Sequence, residues 1–413
     1  ITRLPGRQDV GAAGVPRGRL VPPSGAMSIE PFHLERYFAD FEFETPVLLG
    51  ASDCETTSVG ALFELDPGAR DRFEALRLGY THSDGDPALR ATIAESYAEA
   101  IGAEDILVHA AGVEVVTTLM LGAIEPGDRV LVQMPCYQVL RTAPVLAGAL
   151  VDRLETDPRD GWSVTADAVS AALRPETRMV ALNSPHNPTG RVVDAGELRA
   201  IADICAERGI VLLVDEAYRG TRYEGPIDEF SAAELGEHVV ALGLVSKGYG
   251  LPGLRLGWLV CRNPDLRRAV ERVKDYTTIC APAPSEFLAE IAVRNRVPLL
   301  ERTRARLREH LGLLRPVLES RSDLFDWVPP DAGPITFPIL TAEGIRALLG
   351  PESGDAPDDR DLADRIRREA GVLVIPGTLF DARVPAIRFG FGRTNFPEGL
   401  ARFVGWLDRV PAA

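Results

Sequence analysis

From residue 106 onward, short apolar runs alternate with longer stretches whose apolar positions recur three and four residues apart. The runs at 106–109, 129–133, 151–154, 179–183, 210–214 and 239–245 predict strands, and the stretches at 112–121, 138–147, 165–173 and 196–208 predict helices. Runs that are apolar throughout, rather than on alternate positions, suit strands covered on both faces. Their alternation with helices predicts a mostly parallel, buried sheet of the α/β class. Ahead of the sheet, Phe32, Leu34, Tyr37 and Phe38 predict an amphipathic arm or short helix within 31–50. Pro87 opens a helix carrying Leu89, Ile93 and Tyr97 on one face. After Pro264 the texture changes to Arg- and Leu-rich helical stretches at 266–275 and 285–314. From Trp327 on, strands at 335–340, 372–375 and 386–391 mix with helices, the pattern of an α+β unit, around an acidic Pro/Gly loop at 350–359. The expected organisation is an extension without structure at 1–26, an N-terminal arm at 27–60, a large domain at 61–280 and a smaller C-terminal domain at 281–413.

Composition narrows the partners. The 413 residues carry 45 Lys and Arg against 60 Asp and Glu, a net charge of −15, with no basic stripe. Nucleic acid and anionic membranes are therefore excluded as expected partners. No apolar run reaches membrane-spanning length. The five cysteines are scattered without a CxxC pair, which argues against a disulfide framework or a zinc site and for a reducing, cytoplasmic setting. The Gly-, Pro- and Arg-rich residues 1–26 lack the apolar core of a signal peptide, and Met27 is the expected start of the folded protein.

The chemistry lies at the predicted strand ends. Lys247 follows the apolar run 239–245, where open α/β sheets place their reactive groups, and a lysine can form a Schiff base with a carbonyl. Ser246 and Arg255 beside it suit a phosphate, as do the amides of Gly112 and Val113 at a strand-to-helix junction. Asp215 ends another buried run, where a lone carboxylate needs a cation such as a protonated pyridine. Tyr218 and Asn187 can donate to a phenolic oxygen, and Tyr137 offers a face for stacking. Read singly, Tyr137 and Tyr218 are packed aromatics and Arg388 is a surface ion-pair member; the set as a whole describes a site for pyridoxal 5′-phosphate. No metal-ligand pattern accompanies it.

The same residues fall in motifs that resemble the class I/II aminotransferases, pyridoxal-phosphate enzymes of fold type I. These are Gly79-Tyr80-Thr81 with Gly85-Asp86-Pro87, then Pro135-Cys136-Tyr137 and Asn183-Ser184-Pro185-His186-Asn187-Pro188-Thr189-Gly190. They continue with Asp215-Glu216-Ala217-Tyr218, Ser246-Lys247 with Arg255, and Ile387-Arg388-Phe389-Gly390, in the family's order. The resemblance implies a large three-layer α/β/α domain and a smaller α+β domain. It implies Lys247 as the Schiff-base lysine and proton carrier, Asp215 on the pyridine nitrogen, and Asn187 and Tyr218 on the phenolic oxygen. Arg388, with Asn187, would hold the substrate α-carboxylate. Tyr80 would reach the phosphate of a neighbouring subunit, which implies a homodimer with shared sites.

Transamination from an amino acid to a 2-oxo acid, with 2-oxoglutarate as partner, is the default reaction. Two features depart from aspartate-type members. Val113 stands where bacterial dicarboxylate-specific members carry a lysine, and Gly50-Ala51-Ser52-Asp53-Cys54-Glu55-Thr56-Thr57 lacks the usual Gly-x-Pro-Asp pattern. Its acidic groups would suit a cationic substrate if they face the site. Three further stretches, His33-Leu34-Glu35-Arg36-Tyr37-Phe38, the Gly-Leu-Pro-Gly-Leu-Arg ending at Arg255, and Lys274-Asp275-Tyr276-Thr277-Thr278, resemble capreomycidine synthase and its relatives, which cyclise a hydroxylated arginine. That resemblance implies cyclisation or elimination on an arginine-like amino acid as the alternative. A cofactor-sensing transcription regulator is set aside, because neither residues 1–26 nor the acidic balance supplies a DNA-binding domain.

Overall fold

In the computed structural model, the strand-end geometry starts from a seven-stranded sheet: β1 (Ile106–His109), β2 (Arg129–Met134), β3 (Leu150–Glu155), β4 (Thr177–Asn183), β5 (Val211–Asp215), β6 (Val239–Leu244) and β7 (Gly257–Cys261). Their order across the sheet is β1-β7-β6-β5-β4-β2-β3. The five strands β2 to β6 run parallel, and β7 pairs antiparallel with β1 and β6. This is the expected α/β class with a mostly parallel sheet. The structure describes residues 29–350 and 358–409, so the expectations for 1–26, for Met27 and for most of the acidic loop lie outside the described residues.

Strand β7 is the element that periodicity did not predict. The loop 245–256, with one short 3-10 turn at Pro252–Leu254 and no crossover helix, joins it to β6, so the strand–helix alternation that marks parallel strands is absent there. Both sheet faces are buried. Within β5, Leu212 and Val214 join the core formed with Leu198, Ile201 and Cys205, while Leu213 between them joins Val115 and Leu119 on the other side. Each such fully buried side chain stabilises the fold by about 1.5–3 kcal/mol, which holds the ends of β5 and β6 in place.

A second core gathers Leu307, Leu314, Phe389, Phe403 and Trp406 with small two- and three-stranded sheets. The predicted strands 335–340 and 372–375 are each split into two-residue strands. The predicted helix 285–314 is two helices, Ala283–Arg294 and Arg296–Glu319, divided at Asn295. The first packs with Ile93 and Trp258 of the sheet domain. Within the second helix, Leu299 belongs to the core of the sheet and Leu307 to the second core.

The N-terminal arm carries helix α1 (His33–Phe41) and then Val47–Leu48, which pairs in parallel with Val372–Leu373. Beyond it the chain crosses Gly390 so closely that a Cβ there would lie 1.8 Å from the Ala51 carbonyl oxygen. Glycine at 390 is what lets the arm lie flat and brings residues 52 and 53 over the carboxyl ends of the strands.

Candidate active site

A cavity of about 380 Å³ opens at these strand ends. Gly112, Val113, Tyr137, Asn187, Asp215, Tyr218, Ser246, Lys247 and Arg255 line it together, although they come from five separate stretches of the chain. Of the residues singled out from the sequence, Tyr80 and Arg388 stand apart. Tyr80 is 92% exposed, away from the cavity of its own chain. Arg388 is fully buried, so the reading of it as a surface ion-pair member is wrong. Its Nη1 donates to Asn187 Oδ1 at 2.9 Å, its Nη2 donates to the Gly50 carbonyl at 2.6 Å, and its Nε has no partner. Burial lowers its pKa to about 10.

Asp215 ends β5. Its Oδ1 accepts from the Ala217 amide at 3.0 Å, and burial raises its pKa to about 6, with that bond and Lys247 pulling the other way. Asn183, at the end of β4, donates through Nδ2 to the Asp215 carbonyl at 2.7 Å and accepts from the Asn187 amide at 2.6 Å, which locks the two strand ends to the loop carrying Asn187. Lys247 lies three residues beyond β6. Burial lowers its pKa, opposed by Asp53 and assisted by Arg388. Its Nζ donates to Ser52 Oγ at 2.8 Å. The Tyr218 hydroxyl is buried without a hydrogen-bond partner. Tyr137 donates its hydroxyl proton to Glu35 Oε1 at 2.9 Å.

Helix α2 (Gly112–Ala123) starts at the cavity wall with no side-chain cap on its first amides. The preceding Ala111 has φ 92°, a conformation that costs a non-glycine residue of order 1–3 kcal/mol and that is stored here at the helix start. Gly112 admits Leu244 of β6, whose Cδ2 would lie 2.9 Å from a Cβ at that position.

These features fit a flat ring bearing a cationic nitrogen, a phenolic oxygen and a phosphate. Asp215 is a buried carboxylate with a raised pKa, which a ring cation would relieve. The Tyr218 hydroxyl, buried beside Ser52, makes no well-formed hydrogen bond. The uncapped N-terminus of α2, flanked by Ser246 and Arg255, matches a phosphate.

Several wall residues escaped the sequence reading. Of the acidic groups in the arm, Asp53 faces the cavity but its carboxylate is held by the Arg393 fork at 3.0 and 2.9 Å, and Glu55 turns away to Thr394. The carboxylates left in the wall are Glu35 and Glu42, two turns apart on one face of α1 with Phe38 between them. The heptad-like spacing 35–38–42 was the available signal. Ser52 carried no signal at all. Away from the cavity, Glu216 is a buried carboxylate at the start of the short helix Ala232–Leu235. It accepts from Ser231 and Ala232 at 2.8 and 2.7 Å and is pushed up to about 7 by burial. His186 is a buried tie between Thr189 and the Pro135 carbonyl, both at 2.8 Å. Among the described residues no helix is long and apolar enough to cross a membrane, and no group of ligating side chains could hold a metal ion.

Comparison with known proteins bears on this geometry. The family model for aminotransferase class I and II matches residues 73–403. Capreomycidine synthase from Streptomyces vinaceus is 30% identical over 382 residues, covering 92% of this chain and 94% of its own. A PLP-dependent aminotransferase from Streptococcus suis superposes with a TM-score of 0.84 at 27% identity, over 94% of this chain and 100% of that one. The PLP-dependent cyclase OrfR superposes with a TM-score of 0.80 at 27% identity, over 95% and 98%.

Proposed function

The chain belongs to the class I and II aminotransferases, enzymes that use pyridoxal phosphate, and from that premise we propose that it moves the α-amino group of an L-amino acid to a 2-oxo acid, with 2-oxoglutarate as acceptor. The observation that carries this reading is the pairing of a desolvated lysine with a buried carboxylate across one cavity, Lys247 and Asp215 on neighbouring strand ends.

When bound, pyridoxal phosphate withdraws electrons from the substrate Cα, so that its proton can be removed. The chain's residues do the rest. Asp215 would hold the ring nitrogen, Asn187 and Tyr218 the phenolic oxygen, and Tyr137 the ring face. The amides of Gly112 and Val113 would hold the phosphate with Ser246 and Arg255. Burial keeps Lys247 Nζ easier to deprotonate than an ordinary lysine, so it can take the Cα proton and return it. Arg388, bonded through Nη1 to the cavity residue Asn187 and without a partner at Nε, would take the α-carboxylate from behind Asn187. Tyr80 and Tyr276 are both more than nine-tenths exposed, which supports a homodimer in which Tyr80 completes the partner's phosphate site. Sedimentation is expected to give a dimer whose Tyr80→Phe variant binds the cofactor more weakly; a monomer with full cofactor affinity would refute this arrangement.

A second reading is favoured by the wall of α1. Arg393 is occupied by Asp53, and Val113 offers no charge, so nothing there recognises a distal carboxylate. Glu42 has no hydrogen-bonded cation, since Arg393 Nη2 stands 3.9 Å away, and burial raises its pKa. With Glu35 it suits a guanidinium or ammonium side chain, which supports a cyclase or eliminase acting on a modified, arginine-like amino acid. An amino-acid panel run with and without 2-oxoglutarate separates the two. Glutamate release marks transamination, and a product that keeps its nitrogen while losing water marks elimination or cyclisation. In either case Glu42→Gln is expected to weaken binding of a basic substrate about tenfold and to leave norleucine unaffected. Equal losses for both would remove the charge argument.

A further inference from the structure

We propose that Ser52 is a positioning residue that aims the Lys247 amine during proton transfer, an inference that rests on the reading of Lys247 as the proton carrier. Among the described residues, Ser52 Oγ is the one hydrogen-bond partner of Lys247 Nζ, at 2.8 Å across 195 positions of sequence. A lysine amine on its four-carbon stem can sweep a wide arc, so a base that must meet one Cα–H bond needs an external aim. A hydroxyl is suited to this because it accepts from the ammonium and donates to the neutral amine, and so serves both ends of the proton's path.

The serine is itself anchored on both sides. Before it, Ala51 is pressed against Gly390, and the Gly390 amide donates to the Leu49 carbonyl at 2.5 Å. After it, Asp53 is gripped by Arg393, and the Glu55 amide donates to the Gly392 carbonyl at 3.0 Å. The lysine's own loop is tied to the same arm. Gly250, at φ 67°, lies where a Cβ would meet the Glu55 carbonyl oxygen at 2.1 Å, and its own carbonyl accepts from the Thr57 amide at 3.3 Å. The distance between Ser52 and Lys247 is thus set by backbone, not by two free side chains.

The charged groups facing the amine are Asp53, Glu35, Asp215 and Arg388, with Cys54 adjacent. A Ser52→Ala change alters none of these charges, and it removes a hydroxyl that lies against both Lys247 and the Tyr218 phenol, so the Lys247 acetylation midpoint is the readout specific to the lysine contact. Two readouts are expected to fall together. Single-turnover proton transfer from the amino-acid substrate falls by about 10- to 100-fold with substrate affinity unchanged, because the amine is no longer aimed. In cofactor-free protein, the pH midpoint for acetylation of Lys247, followed by peptide mass spectrometry, shifts down, because the buried ammonium has lost its acceptor. Ser52→Thr is expected to restore both.

An Ala variant with unchanged proton transfer overturns the proposal. So does a midpoint that stays put or rises toward that of an ordinary lysine, and so does a Thr variant as impaired as Ala. Wild-type protein whose turnover does not depend on Lys247 would instead sink the functional reading, while the acetylation shift would still judge the Ser52 contact by itself.

Discussion

Replacing Lys247 with alanine is expected to reduce turnover of every amino-acid substrate by roughly 10⁴-fold, because on the proposed function one side chain would supply both the covalent hold on the cofactor and the movable proton. The protein should still fold. Among the described residues the amine has no salt-bridge partner, so losing it removes a buried, desolvated charge, and the strand ends beneath it are held by Leu242, Val245 and Leu256. Three measurements check this together. The wild-type protein loaded with pyridoxal phosphate absorbs in the visible-violet band. Borohydride abolishes the band and leaves the label at residue 247. The alanine variant neither shows the band nor turns over substrate. If that variant catalyses at the wild-type rate, the functional assignment cannot stand.

Asp215→Asn has the second largest expected effect, and it acts on activity and stability with opposite signs. Turnover should fall by about 10²–10⁴-fold, since asparagine cannot keep a ring nitrogen protonated and the electron withdrawal weakens. The cofactor-free protein, by contrast, should become more stable at neutral pH. The Asp215 carboxyl has a pKa near 6 in the fold against an ordinary value of 3.8. A group whose folded pKa is raised contributes stability at low pH and loses it as pH climbs through the folded value. At pH 7 the ionised form therefore costs the fold roughly 2–3 kcal/mol, which asparagine does not. Denaturant unfolding of the two cofactor-free proteins should differ by that amount at pH 7 and converge below pH 4. A destabilised Asn variant at pH 7 would mean that Asp215 is held by a cation within the protein itself.

The carboxylate is thus a place where the fold is weakened in favour of chemistry, as the positive φ of Ala111 is at the start of α2. Asp215 lines the cavity and Ala111 directly precedes Gly112 in its wall; a cationic ring nitrogen there would relieve the carboxylate.

How much of this was legible in the chain follows from the range of the forces involved. Strands β1 to β6 and the helices between them were readable because apolar periodicity is a local record of burial. The candidates at their ends were readable because a polar residue closing a buried run has few bland uses. Asp215 and Lys247 stand out for that reason. Strand β7 was hidden because a loop joins it, antiparallel, to its neighbour. The division between the two cores was hidden because one continuous helix, Arg296–Glu319, serves both, and no break in pattern marks where Leu299 leaves one core and Leu307 enters the other.

By itself the sequence determined the alternation of strand and helix, and with it the sheet, the positions of Lys247 and Asp215 at strand ends, and the kind of cofactor those residue types can hold. Only the tertiary structure decided which carboxylates face the cavity, that Asp53 is spent on Arg393, that Arg388 lies fully buried behind Asn187, and that Ser52 meets Lys247. The physical reason is range. Propensity and periodicity act over a few residues, whereas each of these contacts joins residues about 200 to 340 positions apart and exists only once the arm has crossed Gly390 and both cores have closed.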